Sequence, residues 1–127
     1  MIVGVGVDLA EVDRIRDALE RPGTGERFRA RVFTAGEQAY CERRRRKYES
    51  YAARFAAKEA GVKAIGTGWN HGVRWRDIEV ARKPGGRPTL LLHGKAAEFA
   101  AKLGATNVAL SLTHTAEQAF AQVILEK

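Results

Sequence analysis

The chain has 127 residues, 45% of them hydrophobic and 29% charged, which suits one domain over residues 1–127 and is short of two. Lys and Arg number 22 against 15 Asp and Glu, a net charge of +7, so anionic partners are favoured. Cys41 is the single cysteine, which excludes an intrachain disulfide and a cysteine-built zinc site and agrees with a reducing cytoplasm.

Residues 2–9 alternate as a strand does, with Val3, Val5, Val7 and Leu9 on one face and Gly4, Gly6 and Asp8 on the other. The glycines let another element approach the backbone closely. This apolar opening has no basic lead-in and is broken by Asp8, so it reads as neither signal peptide nor membrane span. Residues 11–20 read as a helix with Val12, Ile15 and Leu19 inward, stopped by Pro22-Gly23. A second helical stretch covers residues 26–32. Thr34 and Glu37 have capping-box spacing and predict a helix running to about Arg46. A long helix follows over residues 48–65. Residues 73–80 and 89–93 read as strands around the turn Pro84-Gly85-Gly86. Residues 95–103 form an Ala-rich amphipathic helix ended by Gly104, and residues 107–113 and 119–125 read as an antiparallel hairpin. The order predicts an α+β fold, a mostly antiparallel sheet packed on the long helix.

The long helix carries the most informative segment, Arg54-Phe-Ala-Ala-Lys58-Glu59-Ala-Gly-Val-Lys63, followed by Gly66-Thr67-Gly68. Glu59 and Lys63 are four apart and share a face, with Arg54 and Lys58 on neighbouring faces. A carboxylate suited to a hard divalent cation, among cations suited to phosphate, suggests a site for a metal-bound phosphate ester. A surface ion pair at the favoured spacing is the plainer alternative. Gly4-Val-Gly6 lacks the third glycine of a dinucleotide fingerprint, and Asp8 would place negative charge where pyrophosphate belongs. Asp8 is therefore read as a metal ligand or as an N-cap for the next helix. The run Arg43–Lys47 reads as a solvated face or a nonspecific anion contact. Nucleic-acid binding is the sharper alternative, but no aromatic-rich strand, zinc spacing or helix-turn-helix accompanies the run. Arg14 and Arg21 lie seven apart on one helical face with Arg27 and Arg29 following, a place for an acidic protein surface. Ser111, Thr113 and Thr115 alternate to one face, a row able to hydrogen-bond phosphate oxygens. No Gly-x-Ser-x-Gly elbow accompanies them.

Three segments together resemble the 4′-phosphopantetheinyl transferases, specifically the small bacterial holo-acyl-carrier-protein synthases. They are Gly4-Val-Gly6-Val-Asp8-Leu-Ala-Glu11-Val-Asp-Arg14-Ile, then Arg54-Phe-Ala-Ala-Lys58-Glu59-Ala with Lys63 and Gly66-Thr-Gly68, then Ser111-Leu-Thr-His-Thr115. Their order and spacing match over nearly the whole chain. The resemblance implies transfer of the phosphopantetheine arm of coenzyme A to a serine of apo acyl carrier protein, with Mg2+, in lipid and fatty acid biosynthesis. It implies that Asp8 and Glu59 ligate magnesium and that Lys63 stabilises charge on the leaving adenosine 3′,5′-bisphosphate. Glu59 or a metal-bound water would take the serine proton. Arg54, Lys63, Gly66, Thr67, Gly68 and His114 would contact the nucleotide, and Pro88 would border the adenine. Arg14, Arg21, Arg27 and Phe28 map near the surface that receives the carrier protein. The family's small members are trimers with sites between subunits, which would make this chain a homotrimer needing neither nucleic acid nor membrane. Two departures stand out: a third acid found in larger relatives is Ala10 here, and the usual Gly-Lys-Pro reads Gly86-Arg87-Pro88. A basic nucleic-acid-binding module and a non-catalytic coenzyme A or carrier binder are the competing functions.

Overall fold

The first strand, β1 (Ile2–Glu11), lies closer to the long helix, α4 (Lys47–Ile65), than any side chain would permit. In the computed structural model, which describes residues 1–127, a Cβ on Gly6 would collide with the Ala60 carbonyl and one on Gly4 with that of Ala64. Small residues supply the other half of this contact, since Ala56, Ala57, Ala60 and Ala64 are buried along α4. α4 is buried on nearly all sides and runs through the middle of the core.

β1 pairs antiparallel with β5 (Gln118–Glu126), which pairs antiparallel with β4 (Asn107–His114), giving the sheet order β1-β5-β4. Ala121, Val123 and Leu125 of β5 face α4 and are buried. A second, two-stranded sheet pairs β2 (Ile78–Arg82) with β3 (Pro88–Leu92) and packs Ile78, Val80 and Leu90 into the same core. A short helix, α5 (Gly94–Lys102), follows it with Ala96 and Ala100 inward. Three further helices, α1 (Val12–Glu20), α2 (Gly25–Val32) and α3 (Ala35–Glu42), wrap the N-terminal half of α4. Val12, Ile15, Leu19, Phe33, Cys41 and Tyr51 fill that second core. The antiparallel α+β architecture read from the sequence is thus the one observed.

Three expectations need correction. The helix capped by Thr34 and Glu37 has its reciprocal capping box, but it ends at Glu42 rather than near Arg46. Four successive arginines would stack like charges on that helix, and the chain turns there instead, with the Arg44 N–H donating to the Cys41 carbonyl at 3.0 Å. Only Ile78–Arg82 of the first hairpin is strand. Upstream, Trp75–Asp77 forms a short 3₁₀ turn, held because the Asp77 carboxylate accepts from the Arg74 N–H at 3.0 Å. Lys58 is no phosphate ligand. It is fully buried, paired with Glu37 at 2.8 Å, and donates to the carbonyls of Trp75 at 3.0 Å and Ile78 at 2.6 Å. Burial pushes its ammonium below the ordinary lysine range, and its partners join α3, α4 and the second sheet.

The outer face of the three-stranded sheet is apolar and open. Val5 is 50% exposed, Leu9 55% and Phe120 38%, and Leu9 pairs directly with Phe120 across the sheet. Ser111 and Thr113 lie exposed on this outer face, while Leu110 and Leu112 alternate toward the helix.

Candidate active site

Because β1 sits so close to α4, Asp8 comes within reach of the helix. Lys63 Nζ donates to Asp8 Oδ1 at 2.9 Å and to the Val7 carbonyl at 3.2 Å. The Asp8 hydrogen bond holds the Lys63 ammonium above its ordinary range; burial opposes it, and the charges of Asp8 and Glu59 add to it. Two carboxylates from separate elements therefore flank one cation. The Glu59–Lys63 spacing does not close as an ion pair. Lys63 turns to Asp8, and Glu59 Oε1 accepts instead from Trp69 Nε1–H at 3.2 Å. The N-cap reading of Asp8 falls away, since Glu11 holds the N-cap position of α1 and Asp8 stays in the strand. Ala10, two residues on, shares Asp8's face and is buried without a polar atom to offer.

The helix ends at this centre. Gly66 closes α4 in the left-handed region, φ 89°, with its N–H on the Val62 carbonyl at 3.0 Å. Gly68 is also left-handed, φ 62°, and Thr67 Oγ1 donates to its carbonyl at 2.8 Å. The donor set is all oxygen. No cluster of three or more His, Cys, Asp or Glu side chains makes a protein-only metal cage. Two carboxylates with open oxygens fit a cation that keeps water and takes its remaining ligands from a substrate phosphate, which is magnesium's habit.

Arg54 and His114 meet elsewhere. They line a cleft of about 590 Å³ with Tyr40, Arg43–Arg46, Arg82 and Pro88. The Arg54 guanidinium lies over the Tyr40 ring at 4.0 Å, and its Nη1 donates to the Ser50 carbonyl at 3.4 Å. Its Nε is buried with no protein partner, and such an orphan calls for a reason. His114 Nδ1 stands 2.8 Å from Glu49 Oε1. A carboxylate accepts and does not donate, so Nδ1 carries the proton. The exposed Arg43–Arg46 run forms a wall of the same cleft.

Arg54 and Lys63 are nine residues apart, which on a helix of 3.6 residues per turn is half a revolution and roughly 13 Å of rise. One copy of the chain presents the two groups on opposite sides of α4. The structure also separates the remaining basic residues. Arg14 is exposed and outside every ion pair, and Arg21 and Arg27 border a shallow depression with Glu20 and Glu26. Phe28 is half-buried, packed on Phe33 and Phe55 with ring centroids 6.3 Å away in each case. A larger cleft of about 750 Å³ is lined by Arg31, Thr34, Trp69, Trp75 and His93 among others. Within it Glu79 accepts from Thr34 at 2.7 Å and lies 2.9 Å from His93. Burial works against Glu79, yet hydrogen bonds from Thr34 and His93 hold its carboxyl below the ordinary range.

Residues 4–121 match the model of the 4′-phosphopantetheinyl transferase superfamily. The chain belongs to that superfamily. It is an enzyme of the holo-[acyl-carrier-protein] synthase branch. A protein of Solibacter usitatus named holo-[acyl-carrier-protein] synthase is 65% identical over 126 residues, 99% of each chain. The crystal structure of the synthase from Neisseria meningitidis aligns over 100% of both chains, with a TM-score of 0.88 and 30% identity. The Bacillus anthracis synthase, solved in complex with CoA (3′,5′-ADP), aligns over 98% of this chain and 96% of its own, with a TM-score of 0.78 and 37% identity.

Sequence reading missed Glu49, Tyr40, Arg82 and Trp69. Glu49 lies five residues before Arg54, a spacing with no chemical signature. Tyr40 and Arg82 meet the cleft only through tertiary packing, the Arg82 guanidinium bonding the Tyr40 hydroxyl. Trp69 was visible only as a residue just past Gly66-Thr67-Gly68.

Proposed function

We propose that the chain transfers the 4′-phosphopantetheine arm of coenzyme A to a serine of apo acyl carrier protein. The products are holo carrier protein and adenosine 3′,5′-bisphosphate, and the setting is the cytoplasm. The observation that carries this reading is the convergence of Asp8 and Glu59 on Lys63 at the end of α4. Asp8 and Glu59 would hold magnesium, which when bound neutralises the pyrophosphate of coenzyme A and orients it for in-line attack.

The protein's own groups do the rest. The serine oxygen attacks the phosphorus next to the pantetheine, and the bond from that phosphorus to the bridging oxygen breaks. The bisphosphate leaves with the electron pair, beside the Lys63 ammonium, whose charge persists because Asp8 raises its proton affinity. Asp8 is tied to that ammonium through Oδ1 and Glu59 to Trp69 through Oε1, and the serine proton goes to the Glu59 carboxylate or to a water beside it. Gly66 and Gly68 offer backbone without bulk where the nucleotide passes, with the Thr67 hydroxyl between them turned to the Gly68 carbonyl. Arg54, with its orphan Nε, His114 and Pro88 supply an anion-binding and ring-bordering surface.

Since these groups and Lys63 point to opposite sides of α4, a working site takes one half from each of two adjacent copies. The open apolar sheet face of Val5, Leu9 and Phe120 supports a homotrimer as the assembly that supplies them. Arg14, Arg21 and Arg27, with Phe28 anchored behind them, form the surface we assign to the acidic carrier protein. Residues 1–127 act as one domain in this reading.

The test is to incubate the protein with coenzyme A, magnesium and an apo acyl carrier protein and to weigh the carrier. A gain of one phosphopantetheine is expected, and its loss on adding EDTA. An unmodified carrier at full conversion time would overturn the reading.

A further inference from the structure

Glu59 is met from outside its helix by a side chain that belongs to none of the three motifs. Trp69 donates its indole Nε1–H to Glu59 Oε1 at 3.2 Å, and no protein donor meets Oε2. The bond requires the chain to double back along α4 within ten residues. Left-handed backbone at Gly66 and Gly68, φ 89° and 62°, allows that return.

The indole is not free to swing. It stacks on Trp75 with centroids 3.9 Å apart and planes at 22°. Trp75 stacks in turn on Phe55, at 5.0 Å and 23°. Phe55 stands four residues before Glu59, on the same face of α4. The column Phe55–Trp75–Trp69 therefore rises alongside the helix from one face residue to the next and sets its last member against the carboxylate.

We propose that Trp69 is a positioning residue: its N–H fixes the Glu59 carboxylate, occupies Oε1 and leaves Oε2 for the cation. This rests on the reading of Glu59 as a magnesium ligand. The chemistry of indole suits the task. Its N–H donates and never accepts, so it cannot ligate the metal, and being neutral it does not compete for the site as Lys or Arg would. Hydrogen bonds to metal-binding carboxylates from such outer groups commonly carry ten- to a hundredfold in metal affinity.

The experiment uses the full chain in its native assembly with coenzyme A present, and reads manganese(II) binding from the free-ion electron paramagnetic resonance signal. Trp69→Phe keeps a stacked ring and removes the N–H. Its manganese dissociation constant should rise about tenfold. The magnesium concentration for half-maximal transfer should rise in step, with kcat recovered at saturating metal. Should Trp69→Phe fail to fold, benzothienylalanine at position 69 keeps the bicyclic shape with sulfur in place of N–H, and the same rise is expected. Wild-type affinity in either variant, while Glu59→Gln loses manganese, would overturn the positioning role and leave the transferase reading intact. Absence of manganese binding by the wild-type protein would overturn the reading of Glu59 as a metal ligand, and the positioning role with it.

Discussion

A lysine nine residues beyond an arginine on one helix points to the opposite side, and here each finds different company. Lys63 is bound to Asp8 and stays charged. Lys63→Ala should lower kcat roughly 10²–10³-fold and leave the KM for coenzyme A nearly unchanged. A steady-state analysis with both substrates varied checks this. Arg54, by contrast, sits in the cleft of arginines over Tyr40 with an unpartnered Nε. A hydrogen bond to a charged group is worth about 1.5–3 kcal/mol, so Arg54→Ala should raise the KM for coenzyme A roughly tenfold or more. Cys41 gives a control on integrity. Burial pushes its thiol up to about 12, so no thiolate is presented at neutral pH. A thiol-exchange reagent at pH 8 should therefore titrate Cys41 only after the chain is unfolded with denaturant.

Among elements, the contact between β1 and α4 sets the site, because Asp8 reaches Lys63 only while Gly4 and Gly6 let the strand approach. Gly6→Ala places a methyl against the Ala60 carbonyl. The obstacle is backbone, so the cost should be about 3 kcal/mol, visible as an earlier denaturant midpoint. Arg14→Glu, on the exposed side of α1, should leave stability untouched and raise the KM for carrier protein roughly tenfold, with the effect shrinking at high salt. The boundaries of α1, α4, β4 and β5 were legible because their apolar spacing is regular and their stops are Pro, Gly or a hairpin turn. Residues 75–77 were not legible as a 3₁₀ turn, since Val73 and Trp75 alternate as a strand would and only Asp77's bond to Arg74 reverses that. Lys58 was misread for a similar reason. Its motif neighbours line the site, and nothing in the spacing reveals that Glu37, from a different helix, claims its charge. Asp8, Glu59 and Lys63 could be placed together from the resemblance, whereas Trp69 and Glu49 depend on how loops and helices pack.

At the scale of the whole molecule, the Arg54 cleft, the Lys63 centre and the open sheet face belong to one question. Val5, Val7, Leu9 and Phe120 lie in the open on one sheet face, and a contiguous apolar patch of that kind marks an interaction surface. Light scattering should report a species near three times the 14.0 kDa chain. Val7→Lys should dissociate it and abolish transfer together. The most direct measurement pairs two variants that each lack one half of the site. Arg54→Ala and Lys63→Ala, assayed separately under conditions limiting in coenzyme A, should convert little apo carrier protein. Unfolded together and refolded as a mixture, they should recover transfer, because some sites then draw Arg54 from one copy and Lys63 from its neighbour. Recovery of carrier mass shifted by one phosphopantetheine is the result expected. A mixture that reassembles to the same size yet transfers no faster than the two variants apart would contradict the shared site.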